Sequence, residues 1–459
     1  MNRTNRESDL PPVLGFFSAV TLVVGGVIGS GIFLKPSQVA AATDGYVGLI
    51  LTLWIVLGVV NLCGALALAE LSAMFPRSGG SYLFLREAYG ALWAFSWAWA
   101  EFCIIRSGSI ATLAAAMAIT IGEFATATGF AIDAGTERLF SIASIVLLAA
   151  INIVGTRWGG AVQNLTTVIK GAFVVFLAVL PFVALESNAV DLGRLFPHAM
   201  SAGLLAGIGS AVSGIMWAYD GWANLPIVAE EVREPARNVP RALILGILLL
   251  IVLYTGANLA YHLTLPASEI ATAKATAVTA AEKLIPNFGG KLTMAMLAVS
   301  IFGALNANIL TGPRVLFAAA RDHEFLGPMR RVDPRFGTPA IAIAALSAWA
   351  TLLIVLGDFY PDPDKRLYDV LSDYCIFGAA LFYLAAVVAV FVLRRSRPAA
   401  PRPYRAWGYP LLPAVFVGAY ILVLSSMFWA APVECSIGLL LIAVGMAVFA
   451  VARRLSNER

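Results

Sequence analysis

The sequence predicts an all-α polytopic membrane protein of about twelve transmembrane helices, built as a 5+5 inverted repeat with discontinuous helices 1 and 6. Three observations point there. The 459 residues are 60% hydrophobic and 13% charged, about half the charge of a soluble domain. Apolar stretches of bilayer-crossing length recur along the whole chain. Two of them, the first and the sixth, are interrupted by glycine where helix is nearly obligatory.

In chain order, spans are expected near residues 15–42, 47–74, 90–119, 138–156, 164–185, 203–229, 241–264, 292–320, 338–357, 367–393, 410–430 and 433–452. The polar start "MNRTNRESDLPP" lacks a short apolar core and a small-residue cleavage site, so the first span is expected to be retained. The expected parts are a cytoplasmic tail (1–14), a first repeat (15–185), a second repeat (203–393), a cytoplasmic basic loop (394–409), two appended spans (410–452) and a cytoplasmic tail (453–459).

Charge sets the expected orientation. With the N-terminus in the cytoplasm, about 20 of the 31 basic residues fall on cytoplasmic segments and about eight outside. Arg3, Arg6 and Arg459 belong to the first group. The expected location is the cell (plasma or inner) membrane, with both termini cytoplasmic. That placement accounts for the basic clusters without a nucleic-acid partner. Cys63, Cys103, Cys375 and Cys435, and His198, His262 and His323, share no ligand spacing. No disulfide framework, metal site, cofactor, phosphate-binding loop or catalytic triad is therefore expected, and no enzyme activity.

The breaks carry the function. "GGVIGSGIF" (25–33) places four glycines inside the first span. Small residues let helices approach closely, but Gly25, Gly26, Gly29 and Gly31 fall on several faces. A broken helix is the other reading: free N–H groups at the start of its second half would face an anion. The sixth span, "SGIMWAYDGWANLPIVAEE", repeats the interruption at Asp220-Gly221, with Pro226 after it. Paired breaks five spans apart point to a transporter site between inverted repeats, in a LeuT-like architecture.

These stretches resemble the L-type amino acid transporter (LAT) family of the amino acid–polyamine–organocation superfamily, in its bacterial type. "ALAELSAMFPRSGGSYLFLREAYG", "GTRWGGAVQNLTTVIK", "WAYDGWANLPIVAEEVREPARNVPRA" and "SIFGALNANILTGPRVLFAAAR" resemble it in the right order along nearly the whole chain. The resemblance implies sodium-independent exchange of L-amino acids by alternating access. It also implies that Ser30, Gly31 and Ile32 receive the substrate carboxylate. Val27, with the carbonyls of Trp217 and Asp220, would receive the α-ammonium. It puts Lys170 where sodium-coupled relatives hold the ion, and makes Trp217 the aromatic that closes over substrate. A proton-coupled permease for amino acids, amines or polyamines is the alternative.

Each of these residues also has a plainer reading. Lys170, six residues into the expected fifth span, would snorkel to the interface. Asp220 would cap the second half of span six; as a pocket carboxylate it suggests cationic as well as neutral substrates. Trp217 would face lipid, and Trp222 would only pack. Glu101 and Arg106 are expected either to pair inside span three or to end in water. Asn308 and Arg314 are expected to serve the cytoplasmic half. Glu230 and Glu231, beside Arg233 and Arg237, form either a gate or surface pairs. "RRSRPAAPRPYRAWGYP" is expected to lie against the anionic inner leaflet. Family members that form heterodimers carry a cysteine in the loop after span three; "EFATATGFAIDAGTERL" has none, so no disulfide-linked ancillary subunit is expected.

Overall fold

Apolar stretches separated by glycine, proline and polar turns become helices over almost the whole chain. The computed structural model describes residues 10–184, 195–357, 367–430 and 432–457; Arg3, Arg6 and Arg459 lie outside these. The helices are α1 (Phe16–Val27), α2 (Gly31–Ala42), α3 (Val47–Met74), α4 (Ser81–Tyr89), α5 (Ala91–Ala100), α6 (Arg106–Ala127), α7 (Ala134–Val154), α8 (Thr156–Ala184), α9 (Ala202–Tyr219), α10 (Pro235–Thr264), α11 (Ala267–Thr272), α12 (Thr276–Leu284), α13 (Gly289–Thr311), α14 (Pro313–Asp322), α15 (Ala340–Leu356), α16 (Leu367–Ser396), α17 (Leu411–Ala430) and α18 (Pro432–Asn457). A π-helical turn, Glu101–Ile105, joins α5 to α6, and 3-10 segments cover Trp222–Glu231 and Glu324–Arg330.

The protein is an all-α, multi-pass membrane protein. Among the described residues, eleven helical stretches are long and apolar enough to cross a bilayer. The seventeen-residue α15, at the lower end of the crossing range, brings the count to twelve. Both predicted breaks are present: span one divides into α1 and α2 at residues 28–30, and span six into α9 and the 3-10 segment at residues 220–221. Span eight has a further interruption, because Pro313 lacks the N–H that would continue α13.

One boundary changes the chemistry. α8 starts at Thr156, not near 164, because Arg157, Gln163 and Asn164 hide its first turns from a hydropathy reading. Lys170 therefore lies fourteen residues into the helix, about 21 Å along it. A lysine so deep cannot snorkel to that end.

Span one occupies the middle of the bundle. Its most apolar window is 72% buried, against 28% for α17 and for α18, so the last two spans lie at the periphery. α1 packs against α8, α10 and α13, and α2 against α9. Two of the span-one glycines make this possible. A Cβ on Gly25 would stand 1.9 Å from Thr167 Oγ1, and one on Gly31 would stand 2.6 Å from the Ala218 Cα. Close packing, the plainer reading, holds for these two. Gly31→Ala is expected to force spans one and six apart, because Ala218 meets it with backbone; both the thermal midpoint and exchange should fall sharply. Gly29→Ala, whose Cβ would first meet Ala304 at 3.4 Å, should keep most of the thermal midpoint.

Candidate functional site

The break in span one exposes polar backbone at the centre of the bundle. In the second half, hydrogen bonding resumes at Phe33 and Leu34, whose N–H groups donate to Ser30 O at 3.1 Å each. Among the described residues, the N–H groups of Ser30, Gly31 and Ile32 donate to no backbone carbonyl. The Ser30 hydroxyl is buried and also without a partner there. On the other side, α1 ends with the carbonyls of Gly26 and Val27. Val27 O accepts the Tyr254 hydroxyl at 3.1 Å.

These two backbone ends line a cavity of about 40 Å³, room for a few waters. Val27, Ser30 and Gly31 line it with Trp217 and Asp220 from span six and Asn308 from span eight. Five of the seven residues that the resemblance assigns to substrate or coupling therefore meet at one place. Ile32 does not line the cavity: its side chain is fully buried in the core. Its N–H alone belongs to the exposed backbone end, and its carbonyl accepts the Tyr261 hydroxyl at 3.4 Å. Trp217 is half-buried at the cavity wall, not directed at lipid. Its carbonyl already accepts the Asp220 N–H at 3.1 Å, which closes the last turn of α9.

Lys170 stands beside the break and outside the cavity lining. It is fully buried, and its Nζ donates to Gly25 O and Ile28 O at 2.6 Å each and to Ser300 O at 3.2 Å. One ammonium thus ties together two carbonyls of span one and one of span eight. The Ser300 hydroxyl donates to Gly29 O at 2.9 Å, on the same stretch of broken backbone. Tyr254 of α10 joins the two breaks directly, donating to Val27 O and to Ala218 O.

Asp220 does not cap the second half of span six. It ends α9, and Gly221 opens the 3-10 segment at φ +107. That is a backbone region suited to glycine, and a Cβ there would stand 2.9 Å from Gly26 O. The Asp220 carboxylate accepts the Tyr383 hydroxyl of α16 at 3.2 Å. It lies between the cavity above and a smaller one of about 10 Å³ shared with Asn61, Met216 and Tyr420. Trp222 packs, 1% exposed, against Tyr383 and Phe416.

Glu101 and Arg106 pair inside the bundle instead of reaching water. The π-helical turn brings these residues, five apart, side by side: Arg106 donates to Glu101 at 2.8 and 3.3 Å. The same guanidinium donates to Asn224 Oδ1 at 2.9 Å and Asn308 Oδ1 at 2.6 Å. Spans three, six and eight are thereby joined at the cavity wall. Sequence reasoning missed Asn224, Ser300, Tyr254 and Tyr383 as members of this site. Only Asn224, a polar residue three positions after Gly221, left any signal.

The acidic pair after span six is internal. Glu231 and Arg314 are both fully buried and meet at 2.7 Å, with Thr156 bonded to both. Glu230 accepts two bonds of 2.9 Å from Arg321 and the N–H groups of Ser78 and Leu10. Arg233 and Arg237 are not their partners; Arg237 pairs with exposed Glu234. Leu14 N–H donates to Glu231 O and Arg233 N–H to Leu14 O, so the segment before α1 is strapped over this end of the bundle. Glu231→Gln leaves the Arg314 charge buried without its counter-ion, and should cost about 3–5 kcal/mol in detergent unfolding. Glu234→Gln removes an exposed pair and should cost at most about 1 kcal/mol. The basic loop is also partly internal, since Arg394 and Arg402 both bind Glu70 of α3.

Comparison with known proteins gives this geometry a family. The family profile described as "Amino acid permease" matches residues 14–451. The serine/threonine exchanger SteT of Bacillus subtilis (strain 168) is 32% identical over 446 residues, covering 96% of this chain and 97% of its own. The human b(0,+)-type amino acid transporter 1 is 31% identical, over 87% of this chain and 80% of its own. The rat large neutral amino acids transporter small subunit 2 is 31% identical, over 95% and 80%. The chain belongs to the amino acid permease family, as a member of the LAT type.

Proposed function

We propose that the protein exchanges L-amino acids across the cell membrane without sodium, by alternating access around the broken helices. The observation that carries this reading is the span-one break. Its unbonded N–H groups suit a carboxylate, its carbonyl end suits an ammonium, and the two face one cavity. Every α-amino acid carries both charges. Ser30, Gly31 and Ile32 contribute N–H groups, Val27 and Asp220 contribute carbonyl oxygen, and Trp217 closes over the bound molecule. The remaining lone pair of Trp217 O adds to the ammonium site.

Lys170 takes the part of a sodium ion. Carbonyls from spans one and eight converge on its ammonium, as they would on a bound cation, and the lysine head in that place removes the need for one. Each break lies in the first span of one of two repeats, 15–185 and 203–393, that rock against each other. The similarity to an exchanger from Bacillus subtilis supports antiport. The arginine asymmetry supports cytoplasmic termini. Cys63, Cys375 and Cys435 are buried and Cys103 half-buried, which favours function without a disulfide-linked ancillary subunit.

Asp220 extends the reading to cationic substrates. Glu101 neutralises Arg106 through two hydrogen bonds. Asp220 has neutral partners, the Tyr383 hydroxyl and the Gly221 backbone, so in its ionised form it would leave this cluster one net negative charge. A lysine, ornithine or arginine side chain would balance it. The test is uptake of labelled arginine and serine into sodium-free proteoliposomes, preloaded with amino acid or empty. Uptake only into preloaded vesicles is expected. Accumulation in empty vesicles under a proton gradient would instead establish a proton-coupled permease.

A further inference from the structure

Where the first turns of α10 pass the start of α1 and the loop before α17, the surface holds a groove of about 700 Å³. Arg237, Arg241, Leu245 and Leu248 line it at helical spacing, so they form one stripe along α10. The guanidinium groups stand at one end of the stripe. The leucines beyond them, 40% and 44% exposed, face outward on a membrane-spanning helix. Tyr404 and Trp407 of the loop form the opposite wall.

The polar end of the groove is under-partnered. The Arg241 side chain is exposed and makes no hydrogen bond or ion pair among the described residues. Arg237 reaches exposed Glu234 at 3.3 Å, a contact open to water and worth little. The Tyr404 hydroxyl is buried beside the Trp407 backbone, on the opposite wall. Two guanidinium forks thus stand at the polar boundary of an apolar trough. Guanidinium groups match the oxygens of a phosphodiester in pairs, and the leucine stripe matches an acyl chain.

We propose that this groove binds one anionic glycerophospholipid, with its phosphodiester held by Arg237 and Arg241 and an acyl chain laid along Leu245 and Leu248. Charge complementarity selects the headgroup. A choline or ethanolamine head would bring a third cation beside the two arginines, whereas a glycerol head brings none. The site rests on the proposed orientation only for its leaflet, the cytoplasmic one. Lipid binding in detergent is independent of orientation, and of whether the protein exchanges amino acids.

The full-length protein, stripped of lipid in detergent, would be titrated with phosphatidylglycerol, phosphatidylcholine of the same chains, and soluble glycerol phosphate. Native mass spectrometry would count the adducts. Phosphatidylglycerol should bind at least about tenfold more tightly than phosphatidylcholine, and the double variant R237Q/R241Q should lose about tenfold of that affinity. Arg241→Gln alone, should the double variant fail to fold, is expected to lose several-fold. Three results would overturn the proposal. They are equal affinity for the two lipids, undiminished phosphatidylglycerol binding by the folded variants, and full displacement of the lipid by glycerol phosphate, which would mark a free-phosphate site.

Discussion

Lys170→Met is expected to lower sodium-free exchange by about a hundredfold or more, with the protein still folded and inserted. Methionine fills much of the space of the lysine stem but donates no hydrogen bond. The carbonyls of Gly25, Ile28 and Ser300 would then lose the ammonium they share. A buried acceptor left unsatisfied costs about 1–3 kcal/mol, and two such losses reach a hundredfold or more. The penalty falls on the broken turn itself, because Gly25 and Ile28 flank the carbonyl end of the proposed ammonium site. Lys170→Arg should not rescue exchange: Nζ already sits among three carbonyl oxygens at 2.6–3.2 Å, and the planar, larger guanidinium does not fit that point-like arrangement. The check is the initial exchange rate at matched protein density in proteoliposomes. A variant retaining half the wild-type rate would remove Lys170 from the mechanism.

Asp220→Asn separates cationic from neutral substrates. The amide keeps the shape of the carboxylate and an oxygen for the Tyr383 hydroxyl, so the fold should be little changed. It loses the charge that would balance a lysine or arginine side chain. Hydrogen bonds to charged groups contribute about 1.5–3 kcal/mol, so labelled arginine uptake should fall roughly 10- to 100-fold. Serine or alanine exchange should stay within about threefold of wild type, because backbone recognition is untouched. Equal loss of both substrates would give Asp220 a structural part in the span-six break. An unchanged arginine rate would exclude it as the side-chain partner.

Much of this was legible before any coordinate. Hydropathy marks the spans because a backbone in hydrocarbon has few options other than helix. The two breaks stand out for the same reason, as glycines where helix is otherwise compulsory. α8 was misread at its start because polar Arg157, Gln163 and Asn164 lie in its first turns, and the shortfall made Lys170 look close to an interface. The partners of the site were less legible. Tyr254 and Tyr383 lie in otherwise ordinary spans, and tyrosine is common in membrane proteins without any binding role. The π-helical turn that sets Glu101 against Arg106 depends on an extra residue per turn, which hydropathy does not register. Asp220 looked like a helix cap because Asp favours that position. The position before the 3-10 segment falls instead on Gly221, whose left-handed backbone suits glycine.

The central claim is that one broken helix recognises both charged ends of an α-amino acid. Competition in the sodium-free exchange assay tests it most directly, using serine, its decarboxylated analogue ethanolamine, and glycerate, which carries a hydroxyl in place of the ammonium. Serine should compete, and neither analogue should at a hundredfold higher concentration. Competition by ethanolamine comparable to that of serine would contradict the account. It would leave the N–H groups of Ser30, Gly31 and Ile32 without a substrate carboxylate and recast the protein as an amine exchanger.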